Sequence, residues 1–338
     1  MKFLKVPKNM GEKVRRELLA EGILSKEYPV LSEEDYLLFP VTKSYKDFEI
    51  VERNAEKRPK KYEKLKDALS GFLSESELDS VIGSFDIIGD IAIIEIPQNL
   101  AEHETRIGEA LLEVHSNLKT VLKKVGPMEG KYRVRKVKRI AGEDNTIATY
   151  KESEVLMRFD VSKVYFSVRL SHERQRIAEL VKPKEKILAL FAGVGPFPLV
   201  IAKKRKDARI VAIELNPDAV YWMKKNIEKN KAKNVVPVLG DARDVVMKKY
   251  QDFADRIIMP LPKEAHSFLD VAFAGAKEGA TIHFYTFAGI EDPFGEALEK
   301  AEKAAKAAGV SVSVLTQRIA RPYSADTVQV VLDLKLDK

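Results

Sequence analysis

Three short passages carry the residue types best placed for chemistry. Phe191-Ala192-Gly193-Val194-Gly195-Pro196-Phe197-Pro198 closes an apolar run over 186–191 and opens a helical pattern. Glycines after a first strand let a ligand approach the backbone. Glu214 ends the next apolar run, in Val211-Ala212-Ile213-Glu214-Leu215-Asn216-Pro217. A carboxylate there can accept from both hydroxyls of a ribose. Asp241 follows the third run, in Leu239-Gly240-Asp241-Ala242-Arg243, where a carboxylate can accept from an adenine amino group. Each passage alone also reads as a tight turn or a helix cap. Three in order, at the carboxyl ends of successive strands, point to a nucleoside-bearing ligand. Pro198 stands where a dinucleotide fingerprint has its third glycine, which disfavours NAD or FAD.

A second group of residues is defined by charge. Between Val121 and Ile140 lie Lys123, Lys124, Lys131, Arg133, Arg135, Lys136, Lys138 and Arg139 against one acid, Glu129, a local excess as large as the net +7 of the whole chain. Charge concentrated in this way fits a polyanionic partner. The chain has no cysteine, which removes disulfides, zinc–thiolate sites and cysteine nucleophiles together. The five histidines show no metal-ligand spacing, so no metal is expected. No apolar run reaches membrane-spanning length and the first residues do not read as a signal peptide. The sequence-based expectation is therefore a cytoplasmic protein that acts as a monomer. Abundant Lys and Glu with only five Gln hint at a thermophilic source.

Three elements of organisation position these residues. Over 1–60 the pattern predicts a small α/β unit, with strands over 3–7 and 35–41 and a helix over 11–21 capped by Asn9. The charged run 56–61 reads either as a linker or as a solvated loop. Over 65–168 it predicts a second small module. That module has a helix over 75–81, a hairpin turning at Gly89-Asp90, a long amphipathic helix over 101–122, then strands over 146–150 and 155–159. Over 169–338 strand-like runs alternate with helical patterns. Seven strands are predicted at 186–191, 210–214, 235–239, 256–259, 281–286, 312–317 and 327–336. The last two have no helix between them, which implies antiparallel pairing within an otherwise parallel, doubly wound sheet.

Gly193, Glu214 and Asp241 in this order resemble the class I methyltransferases, which bind S-adenosylmethionine (SAM). Four passages narrow the likeness: YFSVRLSHERQRIA over 165–178, LALFAGVGPFPL over 188–199, AIELNPDAV over 212–220 and RIIMPLPKEA over 256–265. With them the chain resembles, over essentially its full length, the archaeal and eukaryotic tRNA guanine-37 N1-methyltransferases. The resemblance implies a Rossmann-like class I methyltransferase domain preceded by two smaller α/β domains. It also implies a tRNA partner and 1-methylguanosine as product. Two positions depart from the family. Ala189 stands where an acid is usual, and Pro260-Leu261-Pro262 replaces the usual Asn-Leu-Pro. Some archaeal members also methylate 4-demethylwyosine, the tricyclic wyosine precursor made from the same nucleotide, and the second departure points to that branch.

Methyl transfer to guanine N1 is an in-line displacement that needs positioning, a proton acceptor for N1–H and a donor for the charge developing on O6. The resemblance assigns the acceptor to Glu173. A first-turn helix acid, or His172 as the base, is the alternative there. It assigns the O6 donor to Arg133 or Arg135, expected to share one face of an extended strand; simple phosphate contact is the other reading. Phe191, Gly193, Gly195, Glu214, Leu215, Asp241 and Ala242 are expected to hold the cofactor. Tyr165, Phe166, Arg169, Pro260, Leu261 and Pro262 are expected around the target base, and Lys136, Lys138 and Arg139 on the RNA. A 5-methylpyrimidine enzyme is excluded by the missing cysteine. An oxidoreductase and a non-catalytic RNA-binding protein with a degenerate Rossmann domain remain as rivals.

Overall fold

The computed structural model describes residues 1–25, 27–56 and 62–338; most of the charged run expected as a linker lies outside them. The chain forms two compact units, Met1–Asp67 and Ala68–Lys338.

In the first unit, β1 (Lys2–Pro7) pairs antiparallel with both β3 (Tyr36–Pro40) and β4 (Ile50–Glu52), and β2 (Leu31–Ser32) adds to β3. Helix α1 (Gly11–Ala20) lays Val14 and Leu18 on a core with Leu4, Val6, Ile23 and Phe39. Asn9 does not cap this helix. It lies inside a 3-10 turn, Lys8–Met10, and the cap position falls to Met10, whose side chain makes no capping bond.

The second unit opens with α2 (Leu65–Leu69), whose first residues belong to the other unit, and α3 (Glu75–Ser80). Ser74 and Glu77 close a reciprocal capping box at the start of α3. The hairpin of β5 (Asp86–Ile88) and β6 (Ile91–Ile94) turns at Gly89, where φ is +64 and a Cβ would meet the Thr149 carbonyl oxygen at 2.2 Å. The helix expected over 101–122 is shorter, α4 (Glu104–Val114), and is followed by a long strand, β7 (Thr120–Glu129). His115 leaves the helical torsions, and Val121 and Leu122 are buried in the sheet instead. Strand β7 runs parallel to β6 and antiparallel to β8 (Val134–Gly142), giving the order β5-β6-β7-β8. Strands β9 (Ile147–Glu152) and β10 (Val155–Asp160) form a separate hairpin.

After α5 (Ser171–Leu180) the alternation begins: β11 (Lys186–Leu190), α6 (Pro196–Lys204), β12 (Arg209–Glu214), α7 (Pro217–Lys229), β13 (Val235–Leu239), α8 (Ala242–Lys249), β14 (Ala254–Met259), α9 (Leu269–Gly275), β15 (Ala276–Gly289), α10 (Pro293–Ala308), β16 (Ser311–Pro322) and β17 (Thr327–Asp337). The seven-stranded sheet has the order β13-β12-β11-β14-β15-β17-β16. It is parallel through β15, and β17 runs antiparallel to both its neighbours, as the sequence predicted. Side chains alternate across it. Ile187 and Ala189 pack toward α5, α6 and α7, while Leu188 and Leu190 pack toward α8, α9 and α10. The first of these layers continues into Ile88, Ile91, Ala148 and Val155, so its core runs unbroken into the preceding strands. Strand order reverses between β11 and β14, and ligands of open α/β sheets bind beyond the carboxyl ends of such a pair.

Candidate active site

Beyond those carboxyl ends lies a cavity of about 380 Å³. Phe191, Gly193, Glu214, Leu215, Asp241 and Ala242 line it together, at or just beyond the carboxyl ends of β11, β12 and β13. Phe191 holds φ +56, a left-handed torsion rare for an aromatic residue and costly unless its surroundings fix it. Its ring packs edge-on against Phe268 at 4.9 Å between centroids. Gly193 also has a positive φ, and a Cβ there would meet nothing nearer than the Tyr165 carbonyl oxygen at 3.8 Å, so the backbone is open toward the cavity. Gly195 lies off the lining. It caps α6 at φ +90 and packs close to Met223.

Glu214 fixes this loop. Its Oε2 accepts from the Gly193 amide at 2.8 Å and its Oε1 from the Asn216 amide at 2.8 Å. Burial pushes its carboxyl above the usual range, while backbone donors of Asn216, Gly193 and Leu215 pull the other way. Its two oxygens offer more lone pairs than these backbone donors use, so a ribose hydroxyl can still donate to it. Asp241 Oδ1 caps α8 by accepting from the Arg243 amide at 2.9 Å, while the side chain also faces the cavity. Apolar walls from Ile213, Leu215, Ala219 and Ala242 suit the faces of a purine. These residues therefore fit the adenosyl group of SAM. Ala189 makes no part of this wall; it is buried in mid-strand beside Ala212 and Ile258.

The same cavity extends to Tyr165, Pro260, Leu261, Pro262 and Arg133. The tight turn after β14 is closed by Leu261 N donating to Met259 O and Ala265 N to Leu261 O. Arg133 departs from the strand expectation. It precedes β8, in a turn at φ +51, so it shares no strand face with Arg135. Its guanidinium forms an ion pair with Glu264, lacking hydrogen-bond alignment at Nη2. Three expected base-pocket or donor residues are not brought here. Phe166 packs against Phe159 and Tyr150, Arg169 pairs with Asp86 at 2.9 Å, and Arg135 lies half-buried along β8.

Glu173 lies below the cavity rather than on its lining. It is buried in the first turn of α5, where Oε2 accepts from the Tyr285 hydroxyl at 2.9 Å and from Arg176 Nε at 3.1 Å. Its Oε1 is 3.2 Å from Arg318 Nε. His172 is exposed. Of the expected RNA contacts, Lys136, Lys138 and Arg139 are exposed on β8, the edge strand of its sheet. Lys138 pairs with Glu104 and Arg139 lies 3.6 Å from Asp144. Glu104 is held below the usual carboxylate range by Lys123 and Lys138.

Sequence reasoning missed Glu264, Phe268, Phe287, Arg321 and Tyr323, all on the lining. Glu264 was within reach, two residues after Pro262 in a passage already singled out. The last three come from β15, the end of β16 and the turn after it, and no local pattern distinguishes them from other strand residues. Among the described residues, no group of three or more His, Asp or Glu is placed to hold a metal ion. No helix there is long and apolar enough to cross a membrane.

A parallel sheet with a final antiparallel strand, and a nucleoside site formed by its first three loops, define the class I methyltransferase fold. Within that class, the chain belongs to the TRM5/TYW2 methyltransferases: the model of the TRM5/TYW2 methyltransferase domain matches residues 148–314, that of the TYW2 N-terminal domain 65–146, and that of the tRNA methyltransferase 5 N-terminal domain 4–49. A relative from Pyrococcus abyssi, tRNA (guanine(37)-N(1))-methyltransferase Trm5b, is 41% identical over 98% of both chains. One from Nanoarchaeum equitans, tRNA (guanine(37)-N(1))/4-demethylwyosine(37)-methyltransferase Taw22, is 35% identical over 61% of this chain and 84% of its own. The solved complex of aTrm5 and tRNALeu superposes with a TM-score of 0.79 at 32% identity, covering 99% of each chain.

Proposed function

We propose that this chain transfers the methyl group of SAM to N1 of guanine 37 in tRNA. The observation that carries this reading is one cavity shared by two sets of residues. Gly193, Glu214 and Asp241 stand at its cofactor side, and Arg133 with Pro260, Leu261 and Pro262 at the other. The full-length likeness to Trm5b supports it. SAM supplies an electrophilic methyl group, and the chain's own residues supply position, donors and a proton acceptor. Arg133 is the O6 donor, because it lines the cavity and Arg135 does not. Glu173 takes the N1 proton, and its carboxylate lies immediately beneath the cavity. Tyr165, a residue 43% exposed that also lines the cavity, gives the flipped base a stacking face. Lys136, Lys138 and Arg139 track phosphates along β8. The chain divides functionally into a tRNA-binding part over 1–60, a basic supporting part over 65–168 and the methyltransferase part over 169–338. It works as a monomer in the cytoplasm, on tRNA. The decisive experiment incubates unmodified tRNA transcripts with labelled SAM and identifies the nucleoside by mass spectrometry. 1-Methylguanosine at position 37 is expected; methylation of another base or position, or none, rejects the reading.

A second substrate is favoured by Pro260. The proline ring replaces an amide side chain with an apolar surface that neither donates nor accepts. A pocket that discriminates less through hydrogen bonds suits a larger, flatter base, and the likeness to Taw22 supports this. Presenting tRNA that carries 4-demethylwyosine should give a C-methylated product. Methylation of guanine alone, at high enzyme, leaves a single-substrate enzyme with an unusual rim.

A further inference from the structure

The sheet register shows how Glu173 is aimed. Tyr285, Val331 and Arg318 are cross-strand neighbours on β15, β17 and β16, and Phe287, Gln329 and Arg321 form the next such row on the same face. Phe287 and Arg321 line the cavity. Tyr285 and Arg318 contact Glu173. Two residues along a strand span about 6.6 Å, so the Glu173 carboxylate is held one row beneath the cavity floor. One row further down, Asp333 and His283 are paired across β17 and β15. Asp333 holds Arg176 through its two terminal guanidinium nitrogens, at 2.5 and 3.2 Å, and Arg176 Nε in turn donates to Glu173. The charged and titratable groups facing Glu173 are thus Arg176 on its own helix, Tyr285 on β15 and Arg318 on β16, with Asp333 on β17 acting through Arg176.

We propose that Tyr285 and Arg318 are positioning residues, holding the Glu173 carboxylate at the cavity floor in the orientation from which it takes the proton. This rests on Glu173 being the base. Tyr285 is suited to the task because it is fully buried, with its hydroxyl pushed well above the ordinary range by burial and by the neighbouring Glu173, so it stays a donor. Arg318 is suited differently. Its side chain is 46% exposed on an edge strand, so it is the one partner of Glu173 able to swing out and open Oε1 to the cavity. Arg176 is tied to Asp333 and cannot leave without uncovering that acid.

The test is the pH dependence of single-turnover methylation of guanine-bearing tRNA by the full chain. Glu173→Gln is measured first. A rate close to wild type there rejects Glu173 as base and takes the inference with it. A loss of about 10²-fold or more, typical for a general base, keeps the reading and isolates the next step. Donors to a carboxylate favour its charged form, so Tyr285→Phe should move the acid limb of the profile to higher pH, with tRNA and SAM affinity unchanged. Arg318→Gln should move the limb in the same direction, and Arg318→Lys should restore part of the shift. If Tyr285→Phe does not fold, the Arg318 pair on the exposed edge carries the decision. Limbs superposable on wild type, in variants that fold, overturn the positioning role while leaving Glu173 as the base.

Discussion

Phe191 and Gly193 hold left-handed torsions on either side of Ala192, and the Gly193 amide is tied to Glu214 across the gap between β11 and β12. Glu214 thus shapes the loop and offers acceptors to a ribose at once. Hydrogen bonds to a charged group contribute about 1.5–3 kcal/mol each, and about 1.4 kcal/mol is a tenfold change in affinity. Glu214→Ala should therefore weaken SAM binding at least tenfold in calorimetry, with the circular dichroism spectrum retained. Unchanged affinity would remove the ribose assignment. At this scale the cofactor side was legible, because strand, glycine turn and terminal acid are adjacent in sequence. The acceptor side was less so. Arg133 was named with the wrong geometry, since a positive φ in a turn leaves no periodic trace, and Glu264 acquires meaning only through its ion pair with Arg133.

Helix α7 shows how one element joins the hairpin β9–β10 to the main sheet. Asn226 and Asn230, one turn apart, use their side-chain oxygens to accept from the Arg158 and Leu156 amides at 2.8 and 2.9 Å. Asn226 also donates to Val194 O at 3.2 Å, which reaches the glycine loop. Asn226 is buried, so its removal leaves two backbone groups, the Arg158 amide and the Val194 carbonyl, without their partner. Unsatisfied buried groups cost about 1–3 kcal/mol. Asn226→Ala should lower the thermal midpoint by several degrees and weaken SAM binding through the loop; a midpoint equal to wild type would show that water replaces the amide. Strand β8 makes a different case. Lys138 already pairs with Glu104, so reversing its charge would set two acids together. Neutralising Lys136, Lys138 and Arg139 to Gln tests RNA contact more cleanly. If each meets a phosphate, the salt dependence of tRNA binding should flatten by roughly two to three units of logarithmic slope. An unaltered slope places the RNA elsewhere. The patterns of 3.6 and 2 residues found the seven strands of the main sheet and helices α1, α3 and α4, but not the short β2, β4 and α2, nor β7 and β8 as strands. They failed over 115–122, where an apolar run suits helix or strand and the sheet decides.

Across the molecule, a charge chain, buried at four of its six members, joins segments far apart in sequence: Glu185, Arg256, His283, Asp333, Arg176 and Glu173. No sequence pattern marked it, because its members meet only when β14, β15 and β17 are in register beside α5. Its geometry fixes the histidine tautomer. Arg256 Nη1 lies 2.7 Å from His283 Nε2 and can only donate, so Nε2 accepts and Nδ1 carries the proton to Asp333 Oδ1 at 2.6 Å. Burial above all holds the His283 imidazole neutral, below its ordinary range, with Asp333 opposing and Arg256 and Arg176 assisting. Burial would raise the Asp333 carboxyl, yet hydrogen bonds from His283 and Arg176 hold it well below the usual range. Both shifts act in the same direction on stability. The unfolded histidine takes up a proton near pH 6.5 that the folded one refuses, so unfolding binds more protons as pH falls below about 6.5. Asp333 contributes stability that is fully present above its unfolded value near 3.9 and is lost as pH falls through and below it. The thermal midpoint should therefore be level near pH 7–8, decline as pH falls below about 6.5, and fall further below about 4. His283→Gln should be less stable at pH 7, because Asp333 loses its partner, but its midpoint should lack the decline that begins below about pH 6.5 in the wild type. Retention of that decline would assign the acid sensitivity to groups other than His283.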